Sequence, residues 1–354
     1  MTDPPPPPGP VASAPPLATA AHWMILLVGG VFLLRELGDI LKPVCLAVLL
    51  GYIILPLHFQ VKKYFPGRFS LVASAVLSLT ALFVLTAVVQ SSVRALAAEV
   101  PLLTQRTQES LDRLQAEYAA RYPETWKTVS EFAFPEREGD TYMRDVTGKL
   151  FGMTANTVGT GAVVGLYLLF LLVEAGTFPD RVRRTYPGPR AEGILETIAG
   201  INRGVAHYLT AKVKASLILA APVFVLLASF RVELFVLWTV LTFFCNFVPY
   251  LGSLVGYSLP TLFAAYQFGF GWEAITIAIL LLAIHLVCAS VVEPKVIGQA
   301  VGLSPVVILF ALAFWGYCWG LTGMLLAVPL TVMLKIVATH VDATKSLARL
   351  VSEE

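Results

Sequence analysis

The chain has 354 residues, of which 57% are apolar and only 14% charged, against roughly 25% charged in an ordinary soluble domain. Its 25 basic and 23 acidic side chains leave a net charge of +2 with no dense basic stripe, which argues against nucleic acid as a partner. The charges also leave 4–34, 43–61, 69–93, 150–173, 215–230, 234–272, 274–292 and 296–334 without any Asp, Glu, Lys or Arg. A helical pass needs about 20 mainly apolar residues, so the pattern predicts an all-α, polytopic helical membrane protein with about eight hydrophobic segments and excludes a soluble domain.

The N-terminal stretch 1–16 holds Asp3 and the prolines Pro4 to Pro8 without a basic n-region. It reads as a disordered, polyproline-like tail rather than a secretory signal. Residues 17–93 contain three spans: Leu17 to Leu34, Pro43 to about Leu57, and about 70–90. Residues 94–149 carry 8 basic and 10 acidic side chains and no window long enough to cross a bilayer, so they read as an extramembranous helical insert. In it, Leu103, Thr107, Leu111, Leu114 and Tyr118 recur at spacings of three and four. Such a stripe needs cover, either from the same chain or from another copy in a homo-oligomer.

A fourth span lies within 150–176. In the region 177–214, Ile194, Leu195, Ile198, Ile201, Val205, Tyr208 and Leu209 follow helical period, as expected for an amphipathic helix at the membrane surface. It runs into Lys212 and Lys214 and then a fifth span, 215–230, where Pro222 predicts a kink. The C-terminal core, 215–337, includes two uncharged windows of 39 residues each, 234–272 and 296–334. Each is nearly twice the length of one pass and must fold back or break. The breakers are Pro249, Gly252 and Pro260 in the first window, and Pro305, Gly316, Gly320, Gly323 and Pro329 in the second. Between the windows, 274–292 leads into Glu293-Pro294-Lys295, and 338–354 forms a tail.

Basic residues set the orientation. The 58–69 loop has three Lys/Arg and no acid, and 180–214 has seven basic residues against three acidic. Both are expected in the cytoplasm, with the 94–149 insert outside and both termini inside.

Enzyme motifs are missing: there is no His-Glu-x-x-His, no Gly-x-Ser-x-Gly, and no metal-ligand spacing among His22, His58, His207, His285 and His340. The four cysteines lack Cys-x-x-Cys spacing and sit in apolar windows, as small buried hydrophobes do. No enzyme, metal or cofactor is therefore expected. Apolar segments interrupted by Gly and Pro instead point to a transporter's site, because unwound backbone is tolerated at membrane depth only where it lines a cavity or packs in protein. The candidates along a substrate pathway are Asn246, Tyr250, His285, Glu293 and Lys295; the candidate hinges are Pro249, Gly252, Pro294, Gly298, Gly320, Gly323 and Pro329. Four of these five pathway candidates have a plainer alternative: a helix cap for Asn246, a satisfied core histidine for His285, a structural ion pair for Glu293 and Lys295.

Four stretches, Asn246-Phe-Val-Pro-Tyr-Leu-Gly252, Glu293-Pro-Lys-Val-Ile-Gly298, Gly302-Leu-Ser-Pro305 and Gly320-Leu-Thr-Gly323-Met-Leu-Leu-Ala-Val-Pro329, resemble in order and spacing the autoinducer-2 exporter family of bacterial membrane proteins. The upstream Gly204-Val-Ala-His-Tyr208-Leu resembles the family's approach to its fifth span; after the Tyr250-Leu-Gly252 element, Ser253 departs from the glycine or proline common in the family. The resemblance implies a bacterial inner-membrane exporter of a small polar solute, with H+ or Na+ as coupling ion. A monovalent cation/proton antiporter and a non-transporting scaffold stay open as alternatives.

Overall fold

The computed structural model describes residues 16–64, 68–114, 139–186, 188–269, 271–297 and 302–340. Its elements are α1 (Pro16–Glu36), α2 (Gly38–Tyr64), α3 (Arg68–Leu114), α4 (Gly139–Ala175), α5 (Phe178–Thr185), α6 (Pro189–Ser229), α7 (Phe235–Cys245), α8 (Leu251–Phe268), α9 (Trp272–Val287), a π-helical turn Cys288–Val292, α10 (Glu293–Ile297) and α11 (Pro305–His340). The protein is all-α and polytopic. Five helical stretches among the described residues are long and apolar enough to cross a membrane: Leu79–Glu99, Val158–Ala175, Pro189–Ser229, Trp272–Val296 and Pro305–Thr339. Large apolar side chains such as Phe32, Phe83, Phe170, Val225, Leu262, Ile279 and Phe310 stand exposed on the outer surface, the placement expected where the solvent is lipid.

Several helices outrun the apolar windows. Charge begins at Arg94, but α3 continues to Leu114 as one helix of 47 residues, about 70 Å long at 1.5 Å per residue. Charged and polar residues such as Gln, Arg and Glu are good helix formers, so leaving the bilayer does not end the helix. The charged insert 94–149 therefore begins as an extension of α3 and closes as the first turns of α4, while 115–138 lie outside the described residues. For the same reason the surface helix and the fifth span are one helix, α6, of 41 residues, which Lys212 and Lys214 do not interrupt and in which Pro222 is accommodated.

Helices α2, α3 and α4 pack together. A Cβ added at Gly161 would meet the Thr86 hydroxyl at 3.1 Å, and one at Gly165 would meet Leu82 at 3.2 Å. The pair therefore acts as a close-packing face. Between α3 and α4 lies an apolar groove of about 550 Å³ that includes Leu79, Phe83, Thr86 and Leu169.

Among the described residues, each 39-residue window contains a helical hairpin. In the first, α7 and α8 pack against each other across the turn Asn246 to Tyr250. In the second, Gly320 adopts φ +63° within α11, a conformation open to glycine at little cost. The two limbs then run back together, with Met324 against Gly316 and with Leu303, Val307, Ile308, Val328 and Val332 sharing one apolar cluster. The hairpins are closed alike. A Cβ at Gly252 would lie 1.7 Å from the Cys245 carbonyl oxygen, and one at Gly323 would lie 1.8 Å from that of Trp315, so at both places backbone rests on backbone. The α7 limb, 11 residues long, rises about 16 Å, roughly half the hydrocarbon thickness.

The turns are anchored from elsewhere. Gln267 accepts from the Glu233 amide at 2.8 Å and donates to the Arg231 carbonyl at 3.1 Å, fixing the α6–α7 turn. The Trp319 indole donates to the Leu34 carbonyl at 2.8 Å, and Arg35 lies over the Tyr317 ring, so α1 docks on the tip of the second hairpin. Lys335 donates to the Gly302 carbonyl at 2.6 Å, tying the Gly302-Leu-Ser-Pro305 loop to the second limb.

Candidate functional site

Helix α6 is the centre of the C-terminal core. Its buried residues include Val205, Tyr208, Leu209, Lys212, Ser216, Leu219, Val223 and Leu227, one stripe at helical spacing. Two of them, Lys212 and Ser216, carry polar groups that meet a broken segment. Lys212 Nζ is 2.5 Å from Glu293 Oε1, with side-chain exposures of 4% and 27%. One turn on, Ser216 Oγ accepts from Asn246 Nδ2 at 3.0 Å, and both residues are buried. The Asn246 turn and the Glu293 segment thus dock on successive turns of one helix face.

The polar line continues inward. Trp238 and Thr242 on α7 and Asn246 at its C-terminal cap follow one another at intervals of four residues. The Thr242 hydroxyl donates to the Gly256 carbonyl at 3.2 Å. His285 lies eight residues before Glu293, about 12 Å along the helix. Its Nδ1 is 2.9 Å from the Leu281 carbonyl, while its Nε2 faces Gly256, where a Cβ would meet it at 3.3 Å. That Nε2 and the Trp238 Nε1 are buried with no hydrogen-bond partner. The result is a seam between α6, α7, α8 and α9: an ion pair at one end, an amide–hydroxyl pair next, and two orphaned ring nitrogens within.

The π-helical turn explains how Glu293 reaches Lys212. Pro294 has no N–H, so the Ser290 carbonyl has no partner four residues ahead. The helix widens here, with the Glu293 amide bonding the carbonyl five residues back, at Cys288. π-bulges of this kind are frequent at functional sites.

Of the residues singled out in the sequence, Asn246, His285 and Glu293 face the seam. Tyr250, at φ +64° in the hairpin turn, is 56% exposed, and Lys295 is exposed, as is Pro294. The ion pair and hydrogen bonds of the seam involve neither Tyr250 nor Lys295. Gly252, Gly320 and Gly323 sit at the hairpin turns; Pro249 lies in the first turn and Pro329 within the second limb; Gly298 lies outside the described residues. Sequence reading missed Lys212, Ser216, Thr242 and Gly256. For Lys212 a signal was present, because it falls on the apolar stripe through Val205, Tyr208 and Leu209, where an exposed lysine does not belong. Glu174, at the end of the fourth span, is exposed and pairs with Arg181.

The description "AI-2E family transporter" belongs to the family model that matches residues 22–343. The chain belongs to the AI-2E transporter family. This makes it a multi-pass membrane transport protein and agrees with the resemblance of its four broken-helix stretches. Among similar AI-2E proteins, a "Putative transport protein" of Haemophilus influenzae is 29% identical over 323 residues, covering 88% of this chain and 89% of its own. The "AI-2 transport protein TqsA" of Escherichia coli K12 is 31% identical over 207 residues, 58% of each chain. The "Putative transport protein YhhT" of the same strain is 26% identical over 333 residues, 91% of each. The AI-2E match covers both hairpins and the whole seam.

Proposed function

We propose that this chain is a secondary exporter moving a small polar solute, AI-2 or a molecule like it, outward across the bacterial inner membrane through the seam along α6. The observation that carries the reading is the orphaned, buried His285 Nε2, which lies beside Gly256 and Thr242, with the Trp238 Nε1 of α7 a second buried ring nitrogen without a partner. A buried polar group without a partner costs about 1–3 kcal/mol. A solute hydroxyl arriving there could donate to the His285 Nε2 lone pair, and a solute hydroxyl or carbonyl could accept from the Trp238 indole. Asn246, His285 and Glu293 are the pathway residues in this reading, Tyr250 and Lys295 line its approaches, and the breaks at Pro249, Gly252, Pro294, Gly298, Gly320, Gly323 and Pro329 serve as hinges for alternating access.

The membrane orientation is the one expected from basic residues: both termini and 177–214 in the cytoplasm, the charged insert outside. The protein works as a homo-oligomer, held in part through the insert, with H+ or Na+ as the coupling ion and no enzymatic step.

The test is counterflow of AI-2 and a panel of small polyols in proteoliposomes. His285→Leu removes the orphaned nitrogen, so it is expected to leave the protein folded while slowing flux. Wild-type flux in His285→Leu and Asn246→Leu together would overturn the proposed path. A monovalent cation/proton antiporter is the second reading, favoured by the buried Lys212–Glu293 pair; cation movement without solute movement in the same vesicles would select it.

A further inference from the structure

We propose that the pocket where α4, α5 and α6 meet binds an anionic phospholipid, with its phosphate at Arg183 and its glycerol and first methylenes along α6. The site needs only that the chain lies in a membrane, so it stands apart from the solute path through the seam.

The pocket holds about 390 Å³ of space. Its walls are apolar: Phe178 and Pro179 of α5, Leu195, Ile198 and Ala199 of α6, and Ala175 at the end of α4. The two polar side chains that interrupt these walls are Arg183 and Asn202, and both offer donors. Arg183 spends its Nε on Glu192 at 3.1 Å, which leaves the rest of its fork, since a guanidinium has five N–H groups and no acceptor. Asn202 accepts from the Tyr52 hydroxyl on its Oδ1, leaving Nδ2 to donate. An apolar pocket edged by donors suits an amphiphile whose polar part is rich in acceptors, as phosphate and ester oxygens are.

The donors also set the ligand's direction. Asn202 is ten residues beyond Glu192 on α6, about 15 Å along the helix. Its partner Tyr52 belongs to the uncharged window 43–61 of α2, and the membrane-crossing stretch Val158–Ala175 stops at the pocket's edge. The Asn202 end is therefore at the depth of lipid chains, and the Arg183–Glu192 end is at the water. A phospholipid enters in that same order, phosphate outermost, ester carbonyls next, methylenes inward.

Charge favours an anionic head. From Asp180 to Glu192 there are four arginines against two carboxylates. Arg181 pairs with Glu174 and Arg183 with Glu192, and all four side chains are more than half exposed. Pairs of this kind are held weakly, and a phosphate competes well for the guanidinium. Arg190 lies over the Tyr186 ring at 5.4 Å. Arg184, beside Arg183 in the last turn of α5, has no acidic partner among the described residues. A second copy of this chain would bring the same excess of arginine to the pocket and be repelled, and a free phosphate would leave the apolar walls uncovered.

The test uses the full chain purified in detergent, with dioctanoyl phosphatidylglycerol, dioctanoyl phosphatidylcholine and sodium phosphate as probes. Native mass spectrometry counts bound lipid, and thermal unfolding reads its effect. Phosphatidylglycerol is expected to form a saturable adduct and raise the unfolding midpoint, with the other two probes doing neither at the same concentration. Arg183→Gln should weaken phosphatidylglycerol binding about tenfold or more, because charge-assisted bonds are lost. Arg203 is exposed on α6 and is not part of the pocket wall, so Arg203→Gln should cost no more than the roughly fivefold of a basic residue near an anionic surface. Ala199→Phe fills the pocket, leaves every charge in place and should abolish the adduct. Each variant's midpoint without lipid reports its folding, and Arg183→Gln carries the test if Ala199→Phe does not fold. Equal binding of phosphatidylcholine would mean that charge is not read, and equal binding of phosphate would mean a free-anion site. Equal losses from Arg183→Gln and Arg203→Gln would mean diffuse attraction to the surface, and full binding in a folded Ala199→Phe would put the lipid elsewhere. Any one of these results, or no phosphatidylglycerol adduct at all, overturns the site.

Discussion

Gly252 lies so close to Cys245 that a Cβ on the glycine would sit 1.7 Å from the cysteine's carbonyl oxygen. The first hairpin is therefore closed by contact between two stretches of backbone, and no rotamer change can make room there. Gly323 against Trp315, at 1.8 Å, repeats the arrangement in the second hairpin.

Gly252→Ala and Gly323→Ala should each destabilise the protein by about 3 kcal/mol or more, the upper part of the overpacking range, because backbone has to move. Gly159→Ala is the control: nothing lies within 4 Å of its Cβ position, and alanine favours a helix over glycine by roughly 0.5–1 kcal/mol. Thermal unfolding in detergent reads all three. Equal midpoints for Gly252→Ala and Gly159→Ala would contradict the close approach.

The Asn246–Ser216 bond should couple α7 to α6. Ser216→Ala leaves the Asn246 amide buried without an acceptor and should cost about 1–3 kcal/mol. Much of that is recovered if Asn246 is also replaced, so a double-mutant cycle of Ser216→Ala and Asn246→Leu should return an interaction of about 1 kcal/mol. Additive losses would mean the two side chains do not meet.

Glu293→Gln and Lys295→Met should part company. Glu293 faces the buried ammonium of Lys212, so Glu293→Gln is expected to impair transport strongly while the protein still inserts. Lys295 is exposed, and Lys295→Met is expected to change flux little. Lys212→Met strands a partly buried carboxylate, and breaking a buried pair this way costs about 3–5 kcal/mol. Equal loss of flux from Lys295→Met and Glu293→Gln would mean that the exposed lysine, not Lys212, serves the site.

Sidedness is tested by single cysteines placed at Gln115, just beyond the described end of α3, and at Glu196 on α6. A membrane-impermeant thiol reagent should label the first from outside and the second only from the cytoplasmic side. Labelling of both from one side would refute either the orientation or the number of spans.

The sequence by itself determined that this is a multi-pass helical membrane protein whose two long apolar windows must fold back or break, with Gly and Pro breakers from Pro249 to Pro260 in one and from Pro305 to Pro329 in the other. Apolar length and Gly/Pro punctuation are local properties, and a bilayer of fixed thickness turns them directly into spans and breaks. Asn246, His285 and Glu293 could be singled out the same way, because a polar group in a long apolar run costs energy wherever the chain takes it. The extents of α3 and α6 could not be read locally: charge marks where lipid ends, and helices continue past that point. What only the tertiary structure decided was partnership. Glu293 has a lysine two residues away in sequence, yet it pairs with Lys212, 81 positions upstream, because the π-helical turn before Pro294 aims its side chain at α6 while Lys295 is left exposed. The orphaned nitrogens of His285 and Trp238 are likewise a fact of packing: they depend on which faces of α7, α8 and α9 close over them, and that choice is made by contacts between segments dozens of residues apart.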